Sequence, residues 1–139
     1  MKLLGFNFTK LHAERLIDRS EGIKINTNID ISDIKEAKTD ILKSEGKVIA
    51  VRFLYGVSYE PELAKIEIGG TIVLSVETPL GKEIIDQWEE KKVPEEFRIN
   101  LFNLILKKSG LKAMQLEEEL NLPLHIPFPS LKKSDSDKK

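Results

Sequence analysis

The chain has 139 residues, enough for one domain that buries about two-thirds of the surface its unfolded form exposes. Lys+Arg (22) and Asp+Glu (23) nearly cancel to a net charge of −1, so there is no global pull toward nucleic acid or anionic membrane. Cysteine is absent, which excludes disulfides and thiolate metal sites.

The opening stretch MKLLGFNFTKLHAER lacks the sustained apolar core and small-residue cleavage site of a signal peptide. No run approaches the roughly 18 apolar residues of a membrane span. A soluble, cytoplasmic protein is expected, without membrane insertion. Abundant Lys, Glu and Ile with few Gln leans toward a thermophile.

The first half alternates with period two. Phe6 and Phe8, then Leu11 and Ala13, predict a first strand with a parity slip near Thr9-Lys10. In GIKINTNIDI, Ile23, Ile25, Thr27, Ile29 and Ile31 share one face, opposite Lys24, Asn26, Asn28 and Asp30. Residues 32–47, SDIKEAKTDILKSEGK, read as a long charged connection with room for one helical turn. The third strand carries Ile49, Val51, Phe53, Tyr55, Val57 and Tyr59 on its apolar stripe, and the fourth carries Ala64, Ile66, Ile68, Ile72, Leu74 and Val76. YEPEL joins them as a hairpin loop, with Pro61 ending the ladder. Gly69-Gly70 keeps the parity and marks a bend or bulge where a neighbouring backbone comes close. Short connections predict an antiparallel meander.

At Thr78-Pro79 the period changes. Thr78 is expected to cap a helix and Pro79 to take its first position, with Ile84, Ile85 and Trp88 as the apolar stripe. Pro94 opens a second helix, with Glu95 and Glu96 at its positive end, Lys107 and Lys108 at its negative end, and Gly110 stopping it. Between them Phe97, Ile99, Leu101, Phe102, Leu104, Ile105 and Leu106 leave little of the circumference polar. Such a helix must be covered on more than one side, and a single sheet covers only one. The rest falls to another helix, to the C-terminal ribbon, or to a second copy of the chain. LKAMQLEEELN is a third helix or a continuation, with Glu117, Glu118 and Glu119 as its wet face.

The ribbon LNLPLHIPFPSL, residues 120–131, is forced extended by its prolines. Alternation sends Leu122, Leu124, Ile126 and Phe128 one way and Pro123, His125, Pro127 and Pro129 the other. It reads as a strap across the helices, with an exposed binding element as the alternative. The domain spans 1–131, and KKSDSDKK, 132–139, is expected to be a disordered tail. The fold class is α+β: a four-stranded antiparallel sheet, two or three helices, then the strap.

No residues assemble an active site. There is no G-x-S-x-G elbow, phosphate loop or G-x-G-x-x-G fingerprint. His12 and His125 read as structural or surface residues, and Asp30, Asp33 and Glu36 as solvated acids rather than Mg²⁺ ligands. Lysine pairs are diluted by glutamates, which argues against nucleic acid. A non-enzyme without cofactor or metal is expected.

The strand set from about Gly5 to Val76, the proline-started helix VPEEFRINLFNLILKKSG and the following LNLPLHIPF are similar, in order, to the SecB-like chaperone superfamily and its small archaeal members. The resemblance implies long helices sandwiched between sheets in a dimer of dimers, and apolar grooves that hold unfolded polypeptide without nucleotide. Some relatives serve export and others antitoxins, so the client stays open. This chain departs in being near neutral where the bacterial export chaperones are acidic, and in placing a helix at Ile84–Trp88 where a looser crossover is expected. The reading is a holdase-type chaperone, and the alternative is an adaptor homo-oligomer with one folded partner. Candidate groove or interface residues are Tyr55, Tyr59, Trp88, Phe97, Leu101, Phe102, Leu124, Ile126 and Phe128. Tyr55 and Tyr59 read equally well as core.

Overall fold

The computed structural model describes residues 1–17, 21–37 and 46–131. Its elements are β1 (Lys2–Arg15), β2 (Lys24–Ala37), β3 (Gly46–Glu60), β4 (Ala64–Glu77), α1 (Thr78–Trp88) and α2 (Glu95–Glu119). The strands form one antiparallel sheet in the order β1-β4-β3-β2. The meander is β2-β3-β4, and β1 closes on the far edge of β4, a Greek-key return. The chain leaving β1 is pinned over the β3–β4 turn, where the Leu16 and Ile17 N–H groups donate to the Leu63 carbonyl at 2.7 and 3.2 Å.

Alternation decides which face is dry. Val51, Phe53, Tyr55, Val57 and Tyr59 of β3 and Ile66, Ile68, Ile72 and Leu74 of β4 are buried beneath the helices. The opposite face is polar and partly wet. There Lys10 donates to Glu67 at 3.1 Å and holds that carboxyl below its usual range. The parity slip in β1 is present as a register shift between Phe8 and Lys10, opposite Gly70 and Gly69. A Cβ at Gly70 would lie 2.6 Å from the Asn7 carbonyl oxygen and 2.7 Å from the Phe53 ring, which is why this position carries none.

Residues 32–37 are strand, not loop. A register shift between Ile31 and Asp33 resets the parity, so Ile34 re-enters the core opposite Val51 while its charged neighbours stay at the edge. β3 likewise starts earlier, at Gly46, and Lys47 meets Glu36 at 3.2 Å. Of the 32–47 stretch expected to hold a helical turn, residues 38–45 lie outside the described residues.

Helix ends also differ from expectation. Glu77 occupies the cap of α1, because Thr78 is already helical and Pro79 follows it within the first turn. α2 runs unbroken through Gly110, so Lys107 and Lys108 lie mid-helix and the third helix is a continuation. Gly110 is glycine for closeness: a Cβ there would sit 3.0 Å from Ile126 Cδ1 and 3.7 Å from the Tyr55 hydroxyl. The stop comes at LNLP. Asn121 takes a left-handed φ of 55°, and the N–H groups of Asn121 and Leu122 return to the carbonyls of Glu118 and Glu117. That closing pattern tolerates asparagine and leads into Pro123. Arg15 completes the end by donating to the Leu120 and Asn121 carbonyls at 2.9 and 3.0 Å.

Gly70→Ala is expected to lower unfolding stability by about 1–3 kcal/mol through overpacking. Gly5→Ala, whose added Cβ meets nothing within 4 Å, is expected to stay within about 0.5 kcal/mol of wild type. Urea denaturation of the two variants checks the contrast.

Candidate functional site

The buried stripe of α2 is Phe97, Leu101, Ile105, Ser109, Ala113 and Glu117, every fourth residue. Steps of four overshoot the helical repeat by about 40° each, so the covered face winds around the helix and the helix crosses the sheet obliquely. Its exposed remainder winds too. Ile99 and Leu106 share an outer face in the first half, and Leu111, 59% exposed, lies outward in the second.

Two clefts open along this uncovered side. One, about 770 Å³, is lined by Leu111, Met114, Gln115, Glu118 and Glu119 of α2 together with Leu124 and Phe128 of the ribbon. Phe128 is 70% exposed there. The other, about 580 Å³, lies beside the edge strand β2 between Ile29, Ile31, Trp88, Val93 and Phe102. Lys91 stands 4.7 Å over the Trp88 ring and Arg98 5.9 Å from the Phe102 ring, so the apolar floor has cationic lips.

The ribbon is held by Glu117 and His125 together with the two tyrosines of β3. Glu117, read above as part of a wet face, is completely buried, while Glu118 and Glu119 are exposed. His125, assigned to the polar side of the ribbon, is the buried one, its side chain 1% exposed. The chain bends at His125–Ile126, which breaks the expected alternation and turns the imidazole inward and Phe128 outward. Tyr59 donates to Glu117 Oε2 or to the Pro123 carbonyl, 2.7 Å away. The His125 N–H donates to Glu117 Oε1 at 3.3 Å, and Tyr55 Oη lies 2.6 Å from His125 Nε2. His125 Nδ1 is 2.8 Å from Glu117 Oε2 but off the line of a hydrogen bond.

These four side chains form a closed polar knot. Burial, then the Glu117 charge, pushes the Tyr55 phenol up to about 12. Burial, the Glu117 hydrogen bond, that carboxylate's charge and Tyr55 raise Tyr59 further still. The missed signal was the stripe itself, since Glu117 is its next step after Ala113. Two buried tyrosines also require acceptors.

The sequence candidates therefore separate. Tyr55, Tyr59, Phe97 and Leu101 lie in the core, and Ile126 packs over Gly110. Trp88 and Phe102 meet in one cleft, Leu124 and Phe128 in the other. Asp30, Asp33 and Glu36 lie on a strand, with Glu36 tied to Lys47. His12 sits half-buried on the polar sheet face, 3.6 Å from Glu14. Among the described residues no His/Cys/Asp/Glu group is placed to hold a metal ion, and no helix is long and apolar enough to cross a membrane.

No family model and no curated protein matches the sequence. A solved structure matches the architecture: the Mycobacterium tuberculosis Rv1957 SecB-like chaperone in complex with a ChAD peptide from the Rv1956 HigA1 antitoxin. The match covers 95% of this chain and 91% of that one, with a TM-score of 0.59 and 11% identity. The fold is SecB-like. At that identity the likeness establishes the SecB-like architecture, and the residues of the clefts and of the polar knot stand on this chain alone.

The chain's two tyrosines are both in the knot, so phenolate absorbance at 295 nm reads it directly. The neutral phenol of Tyr55 contributes stability that is complete below pH 10.0, its unfolded value, and is lost as pH rises through about 12. Absorbance is expected to stay flat past pH 10.0 and then rise together with loss of far-UV dichroism. Titration of either tyrosine near pH 10.0 in the folded protein contradicts the placement.

Proposed function

We propose that this chain is a polypeptide-binding chaperone that holds its client without nucleotide or catalysis. The observation that carries the reading is the cleft formed by Leu111 and Met114 of α2 with Leu124 and Phe128 of the ribbon, apolar, open and exposed in the single chain. Soluble proteins seldom leave a continuous apolar surface without an occupant. A flexible methionine and a rotatable phenylalanine suit clients of varied sequence. The cleft beside β2 offers a second foothold: an unpaired strand edge for main-chain hydrogen bonds, with Trp88 and Phe102 alongside for side chains. The peptide-bound SecB-like structure supports this reading at the level of fold.

The outer face with Ile99 and Leu106 is the natural place for a second copy of the chain, and a dimer or larger homo-oligomer is part of the proposal. The polar knot serves as scaffold, since its groups are too deeply buried to meet a substrate.

The purified protein is expected to slow aggregation of a chemically unfolded client at stoichiometric ratio. Leu124→Ala/Phe128→Ala is expected to weaken client binding at least about tenfold while leaving the melting temperature nearly unchanged. Trp88, the chain's single tryptophan, reports the second cleft by its fluorescence. No protection of the client at molar excess overturns the proposal.

A further inference from the structure

We propose that Glu117 and His125 form a proton-sensitive latch: with one proton between them they hold residues 122–128 against the sheet, and a second proton releases the ribbon. The release would dismantle the cleft, because Leu124 and Phe128 are one of its walls. The consequence for binding rests on the polypeptide-holding reading above. The latch itself does not.

The side-chain hydrogen bonds that hold the ribbon beyond Leu122 converge on this pair. His125 carries the imidazole into the knot, and its N–H reaches Glu117 Oε1. Pro123 is fixed through Tyr59, which also touches Glu117. Outside the knot, Leu122 packs against the core at the root of the ribbon and Ile126 lies over Gly110.

The groups around the pair narrow what can titrate. From β3 come Tyr55 and Tyr59, both raised and therefore neutral throughout the acid range. From β1 comes Arg15, engaged with the Leu120 and Asn121 carbonyls and charged throughout. From α2 comes Glu118, exposed to solvent at the rim of the cavity below Tyr59. Among the described residues around the ribbon, Glu117 and His125 are the enclosed acid and base.

One shared proton leaves the pair neutral as a unit, whichever partner carries it. Two protons leave an imidazolium beside a neutral carboxyl, with both side chains out of water. A buried cation that has lost its counter-ion is strongly unfavourable. Swinging the ribbon outward hydrates it while the sheet and α2 keep their apolar contacts. The closed state is thus favoured while the pair holds one proton and is lost as pH falls through uptake of the second.

Hydrogen exchange of the full chain without client, from pH about 7.5 to about 4 with times scaled for intrinsic rates, tests this over the range where imidazoles and carboxylates protonate. Protection of the His125 amide, which donates to Glu117 Oε1, is expected to fall at least about tenfold by the acid end, with β3 and β4 still protected. In Glu117→Gln/His125→Gln, which cannot take up the second proton, ribbon protection is expected to be independent of pH. A wild-type ribbon that stays protected, or that opens only together with β3, overturns the latch. So does a local acid opening that persists in the double variant. Client binding enters neither measurement, so a failure here is distinct from failure of the chaperone reading.

Discussion

A pleated sheet can dry one side of a helix, and α2 carries apolar side chains on more than one. That mismatch organises the rest of the molecule. The stripe from Phe97 to Ala113 is spent on the sheet, where Leu101 and Ile105 are fully buried. Ile99, Leu106 and Leu111 are left over, and the ribbon adds Phe128 to the exposed apolar surface instead of removing it. Each such group hidden in an assembly or under a client recovers a share of the roughly 25 cal/mol per Å² that burial contributes. The surplus leaves an open apolar surface along α2 and the ribbon.

The second constraint is polar. Tyr55 and Tyr59 reach up from β3 beneath α2, and their hydroxyls need partners where water does not enter. Glu117 and His125 supply them, together with the Pro123 carbonyl. A buried acid and imidazole are poor investments for stability alone, since desolvation offsets much of their attraction. Their effect is positional: they set one register for the ribbon, just after the LNLP turn has ended the helix. Gly110 cooperates by letting Ile126 sit directly on the helix backbone.

Much of this was legible in the residues. Period-two alternation located the apolar stripes of β3 and β4, and the slip at Thr9-Lys10 anticipated the irregular register of β1. Strand order was not legible in full, because periodicity says which face is dry and not which neighbour is paired, so the return of β1 to β4 had no local signature. The end of β2 was hidden by a bulge that moves Ile34 out of the expected parity. Gly110 misled because a helix stop and a close approach call for the same residue. Glu117 misled because three consecutive glutamates look uniformly wet, whereas helical geometry turns only one of them inward. The clefts were half legible: Trp88, Phe102, Leu124 and Phe128 were recognisable as surplus apolar residues, but their partition into two sites needed the fold.

An uncovered side of α2 that takes an occupant will show in sedimentation velocity over a range of concentrations, with and without a permanently unfolded polypeptide. The expected result is either self-association into a dimer or larger species, or a single chain that co-sediments with the unfolded polypeptide. A species that stays monomeric at every concentration and sediments unchanged beside that polypeptide would contradict it.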